Sequence, residues 1–300
     1  MLIVSSVGLK VLTPAEERFH FGMWSIMKSP LIIGCPISDE TPKDSLDILE
    51  NKEVIAINQD SLGEAATLAL RNTEGEWDVW VGKLSGNRKV VGISNWKDQQ
   101  QSVTFDLGIL GVGSANARDV WAGEDAGSIS REYTVELTAH EMQLLVLTDI
   151  EETPGPQSEG YYGAQDAQLA GGAELISCSD TDCLPSNNKV GNIGDGASVT
   201  LDGVSSSTAG KKLVGIDFIN YEYSFHDAWQ FGTNTRNVTI QVNDEAAKKW
   251  IFPLGGNDWF ESGRLTVELD GFTAGDDNVI VFAGTEGHWA PDFVGLEVFA

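Results

Sequence analysis

Asn257, Asp258 and Trp259 form one run in glycine-rich text, and His288, Trp289 and Asp292 form a second cluster near the C-terminus. Each sets an indole beside carboxylate, amide or imidazole groups. That combination can hold a sugar: the ring stacks on the flat apolar face, while carboxylates and amides read the rim of hydroxyls. The competing reading is structural, because tryptophan is often partly buried for packing alone. Sequence leaves both readings open for each tryptophan.

Other reactive side chains point to structure rather than catalysis. His20 lies between Phe19 and Phe21 and reads as a structural histidine, and His140 reads as a surface turn residue. Asp39 and Glu40 follow the apolar run Leu31–Cys35 and read as loop and helix-start residues favoured by the helix dipole. No Ser/His/Asp arrangement, phosphate loop or His/Cys metal cluster stands out. Gly111-Val112-Gly113 leads into no helix, so a nucleotide site is poorly supported. Cys178 and Cys183 bracket Ser, Asp and Thr, which favour a turn, so a local disulfide is preferred over free thiols. Cys35 reads as a buried free thiol. Asn237-Val238-Thr239 is a glycosylation sequon, meaningful only in a secreted chain.

The net charge of −26 over 300 residues argues against nucleic acid and against anionic membrane as partners. No apolar stretch approaches a membrane span. The opening residues, MLIVSSVGLKVL, lack the basic start and long apolar run of a secretory signal. A hydrophobic share of 41% is enough to build cores, and the length suggests about two domains.

The elements that must position these residues are mainly β. Thr13-Pro14-Ala15-Glu16 is a capping box, and Phe19, Met23, Ile26 and Met27 recur at helical spacing until Pro30. Leu31–Cys35 reads as a strand buried on both faces, Thr41–Asp44 opens a second helix, and Val54, Ile55 and Ile57 form a short turn. From about Ala66 short alternating runs suggest an antiparallel sandwich. The polar, proline-bearing stretch around 151–160 reads as a linker. A second β region follows, with no convincing helix.

Residues 14–60 resemble the end of the catalytic barrel of the α-galactosidases (melibiases) of glycoside hydrolase family 27, and the likeness continues through Arg118–Gly123. The last region resembles the β-sandwich carbohydrate-binding modules of family 35. It does so through Tyr162–Ala167, Lys189–Gly194, Gly256–Trp259 and Ala290–Val298. The resemblance implies a terminal βα fragment of a (β/α)8 barrel over 1–62 and an antiparallel sandwich over 63–150. It implies a linker over 151–160 and a second, jelly-roll-like sandwich over 161–300.

The family hydrolyses terminal α-D-galactose with two aspartates on earlier barrel strands, and no residue of this sequence matches either, so no catalytic residue is assigned. Met1 matches a residue that touches substrate in the family. The module's loops would place Asn257, Asp258, Trp259, His288, Trp289 and Asp292 at a site for galactose-containing oligo- or polysaccharides. Related modules bind calcium through two early glutamates and a late aspartate. Here Gly163 and Gln165 replace the glutamates and Asp292 remains, so calcium binding is expected to be weak or absent, and no other cofactor is implied. The family is secreted. Two alternatives stand beside the enzyme reading: a stand-alone lectin-like module, or a non-functional remnant of a truncated or broken gene. The orphan strand makes residues 1–60 the expected unstable part. Oligomeric state is not read from the sequence.

Overall fold

The structure, a computed structural model, describes residues 5–222 and 235–300. The chain divides into two compact units, Met1–Arg71 with Gly75–Gly155, and Asn72–Glu74 with Pro156–Ala300.

The first unit opens with three helices, α1 (Pro14–Ile26), α2 (Lys43–Leu49) and α3 (Lys52–Asn58). The capping box read from sequence holds α1: the Thr13 hydroxyl accepts from the Glu16 N–H, and the Glu16 carboxylate accepts from the Thr13 N–H at 2.7 Å. The segment read as a turn at Val54–Ile57 is helical instead. The Asn51 side chain caps α3 by accepting from the Glu53 and Val54 N–H groups. Seven residues are too few for helical periodicity to show in sequence.

The strands are β1 (Thr67–Asn72), β2 (Trp77–Leu84), β3 (Arg88–Asn95), β4 (Gln101–Asp106), β5 (Val112–Asp119), β6 (Glu124–Ser130), β7 (Glu132–Leu137) and β8 (Met142–Glu152). Among the described residues they pair in the order β1-β2-β3-β8-β5-β6-β7-β4. The central strands β3 and β8 are buried on both faces. Val90, Met142 and Leu144 share a core with Phe21, Ile26, Ile48, Val54 and Ile57 of the helices, while Val91, Ile93, Leu145 and Leu147 are buried at the alternate positions. Both faces of these strands are covered, which the reading of one-sided alternation did not anticipate.

Leu31–Cys35 departs from expectation. It is not a strand: a single parallel bridge joins Ile33 to Ser5, and Ile33 is 43% exposed. A parallel strand needs neighbours on both sides to pair its backbone and cover its side chains. Among the described residues only the segment at Ser5 lies alongside. Cys35 itself is buried and free.

The second unit is built from β9 (Ser158–Gly163), β10 (Gln168–Ala170), β11 (Glu174–Ser177), β12 (Asn188–Gly191), β13 (Ser198–Ser206), β14 (Gly210–Ile219), β15 (Arg236–Val242), β16 (Lys248–Phe252), β17 (Gly263–Phe272), β18 (Gly275–Ala283) and β19 (Asp292–Phe299). One antiparallel sheet runs β10-β13-β18-β15-β16, the other β11-β12-β19-β14-β17 with β9 also on β19. Rings from the two sheets meet: Phe282 lies 4.8 Å from Phe293, and Phe218 lies 4.9 Å from Phe252. The core between them is lined by Val199, Leu201, Ile240, Ile216, Val267 and Leu296.

Candidate functional site

The loops after β11, β12, β16 and β18 and the start of β19 hold the residues singled out from sequence, and one buried lysine on β12 ties the loop after β16 to the start of β19. Lys189, on β12, is 5% exposed. Its ammonium pairs with the Asp292 carboxylate at 2.8 Å, donates to the Trp259 carbonyl at 2.6 Å and lies 4.8 Å from the Phe260 ring centre. Burial raises the Asp292 carboxyl above its usual range, and the Lys189 hydrogen bond and charge oppose that rise. Such a pair fixes geometry and has little left to offer a ligand.

Trp259 is clamped rather than open. The Arg236 guanidinium sits 4.8 Å over its ring, and Tyr221 meets it edge-on at 6.2 Å. Trp259 also packs on the cluster of Cys183, Ile219 and Val294. Arg236 in turn pairs with Glu222 at 2.7 Å and donates to the Ala290 carbonyl at 3.0 Å, which links this ring to the loop before β19. Asn257 and Asp258 serve their own loop. Asp258 accepts from the Phe260 and Glu261 N–H groups, and Asn257 donates its backbone and side-chain N–H groups to Glu261. Gly256 takes a left-handed φ of 81°, and a Cβ there would overlap the Glu261 carbonyl.

Trp289 is different. It is 51% exposed, and its six-membered ring rests on Gly194, where an added Cβ would stand 2.9 Å from Cζ3. Two backbone hydrogen bonds tie the loop beneath it: Ala290 N–H to Ile193 O and Gly284 N–H to Ala197 O, both 3.0 Å. His288 beside it is exposed. Phe260, which sequence reasoning did not select, is 45% exposed. Its only sequence signal was adjacency to Trp259. Among the described residues, Trp289 and Phe260 are exposed at these loops and Trp259 is clamped.

Cys178 and Cys183 are joined by a disulfide with a Cα separation of 6.1 Å, and the Cys183 N–H donates to the Phe260 carbonyl. Gln165 is exposed and donates to Asp166, while Asp292 is engaged by Lys189. Among the described residues no group of three His, Cys, Asp or Glu side chains is placed to hold a metal ion. The sequon residue Asn237 is 6% exposed within β15, where it pairs with Ile251. A glycan needs an exposed amide, so this burial speaks against the glycosylation site expected from sequence. Met1 lies outside the described residues.

In the first unit His20 and His140 line one cavity of about 330 Å³ with Phe19, Trp24 and Trp96. Burial lowers the His20 pKa, and its Nε2 accepts from the Ser6 N–H. His140 Nε2 lies 2.7 Å from Asp98. Asp39 and Glu40 are exposed loop residues.

Residues 74–147 match the family described as the α-galactosidase C-terminal β-sandwich domain. α-Galactosidase D of Emericella nidulans is 29% identical over 408 aligned residues that take in 100% of this chain. Probable α-galactosidase D of Aspergillus oryzae is 30% identical over 404 aligned residues, 97% of the chain. The chain spans 61% of the length of each relative. The alignment of 408 positions exceeds the 300 residues present, so the Emericella protein carries residues opposite gaps in this chain. A crystal structure of α-galactosidase I from Mortierella vinacea covers 51% of this chain and 40% of its own, with 29% identity and a TM-score of 0.46. The family match and the two relatives support a C-terminal α-galactosidase portion.

Proposed function

We propose that this chain is the supporting and sugar-binding C-terminal portion of an α-galactosidase of glycoside hydrolase family 27. In this reading residues 1–62 are the last piece of the barrel, 63–150 its β-sandwich and 151–160 a linker. Residues 161–300 are a carbohydrate-binding module like those of family 35. Removal of terminal α-D-galactose belongs to the polypeptide that carries the two catalytic aspartates, and the chain as given is not hydrolytic. A secreted location goes with this reading, and the Cys178–Cys183 disulfide suits an oxidising compartment.

The observation that carries the binding half of the reading is Trp289. A half-exposed indole on a base of paired loop backbone, beside His288, offers one apolar face at little ordering cost. The relatives' names point to galactosides as the sugars it meets.

The test is native electrophoresis of the full chain through gels with and without galactomannan, run beside an assay with p-nitrophenyl α-D-galactopyranoside. Retardation by galactomannan with no release of p-nitrophenol is expected. Unchanged mobility of the folded chain would remove the binding module, and release of p-nitrophenol by the chain alone would overturn the assignment of hydrolysis to a longer polypeptide.

A further inference from the structure

The first unit holds a cavity of about 540 Å³ bounded by α3, β5, β6 and β8, a volume within the range of small-molecule sites. Its lining combines an apolar surface, including Ala56, Ile57 and Val146, with a polar group of Glu53, Asn116, Arg118 and Asp125. The geometry points to a second sugar site here: a pocket for a neutral pyranose, separate from Trp289 and assigned by none of the likenesses above.

The charges decide the ligand class. Arg118 donates Nε and Nη2 to the two Glu53 oxygens at 2.6 and 2.7 Å, Nη1 to Asp125 at 3.1 Å, and Nη2 to the Gly123 carbonyl at 2.9 Å. Arg88, the other lining cation, pairs with Asp60 at 3.0 Å. Both arginines are thus neutralised, and a phosphate or sulfate would meet carboxylates in a chain of net charge −26.

What remains is hydrogen-bonding capacity without net positive charge. Four of the five Arg118 N–H groups are used, so one on Nη1 is left to donate. The Glu53 and Asp125 carboxylates each accept more than the bonds they make to Arg118. The Asn116 amide donates to Asp149 and accepts from Ser128, which fixes its orientation. Prepositioned acceptors and donors above apolar carbon match a pyranose, with hydroxyls at the rim and a C–H face toward Ala56 and the partly exposed Val146. Among the described residues no aromatic ring lines the cavity, so stacking is missing and affinity falls in roughly the millimolar range.

The test uses the ¹⁵N-labelled full chain titrated with methyl α-D-galactopyranoside, and separately with inorganic phosphate. Expected are saturable shifts of the Gly127 and Ser128 amides with a midpoint of roughly millimolar order, and none with phosphate. Ala56→Trp, at an exposed position on α3, plugs the cavity and weakens binding about tenfold or more. Asp125→Asn, at a side chain exposed enough to leave folding unaffected, weakens binding several-fold. Trp289→Ala leaves these shifts in place, which separates this site from the module. The inference is overturned if those amides do not saturate by about 0.1 M sugar, if Ala56→Trp binds as the parent does, or if phosphate binds more tightly than sugar.

Discussion

Two tryptophans that look alike in sequence are put to different uses by partners far along the chain. Trp259 is covered by Arg236 from β15 and Tyr221 from the end of β14, whereas Trp289 rests on Gly194 and keeps half its surface open. Trp289→Ala is therefore expected to leave thermal stability within about 0.5 kcal/mol of the parent, because an exposed ring contributes little to the core. Trp259→Ala is expected to cost about 3 kcal/mol or more. Denaturant titration of the two variants checks the contrast, and equal losses would refute it. Lys189 gives a second residue-level prediction. Lys189→Met strands a buried Asp292 carboxylate and is expected to cost about 3–5 kcal/mol. The double variant Lys189→Met/Asp292→Leu recovers part of that loss, since both charges are then gone. A double variant no better than the single would mean that the lysine acts through Trp259 and Phe260 alone.

At the scale of elements, some of the fold was legible and some was not, for physical reasons. The capping box announced α1 because its information is local to Thr13 and Glu16. The runs at β3 and β8 were legible as strands of a sandwich, but not their burial on both faces, because the helices that cover the second face lie elsewhere in the sequence. Leu31–Cys35 carried the same signature without the neighbours that make it a strand, and apolarity alone does not report whether those neighbours exist. The exposed or clamped state of each tryptophan was illegible because Gly194 and Arg236 come from other elements. The burial of Asn237 was not legible because a three-residue motif carries no depth.

Residues 1–60 are the expected unstable part, and within them α1 and α3 share a core with β3 and β8. Limited proteolysis is therefore predicted to cut first between 28 and 41, where Ile32, Ile33 and Ile37 are exposed, and to spare α1. Early cutting within α1 would contradict this. The Cys178–Cys183 link closes a short loop. Replacing both cysteines by serine is expected to lower the stability of the second unit by about 2 kcal/mol in a denaturant titration.

At the scale of the molecule, each unit has its own core, so calorimetry should resolve more than a single two-state transition. Acid acts on the first unit in a defined direction. Glu16 is held below the usual glutamate value of 4.5 by its hydrogen bond from the Thr13 backbone, and Glu53 by its hydrogen bond from Arg118. Folded-state pKa values that are depressed give stability present above the unfolded value and lost as pH falls through the folded ones. His20, whose pKa burial lowers, acts in the same direction, so the melting temperature of the first unit should begin to fall below about pH 6.5 and fall further below about pH 4.5. A melting temperature that rises on acidification would reverse the sign.

The reading of the whole chain as a non-hydrolytic, sugar-binding portion of an α-galactosidase rests most directly on the exposed face of Trp289. Calorimetric titration of the full chain and of Trp289→Ala with a galactosylated manno-oligosaccharide tests it. The account predicts saturable binding that weakens about tenfold or more in the variant while the fold survives. Equal affinity in the two proteins, or no saturable heat in either, would contradict it.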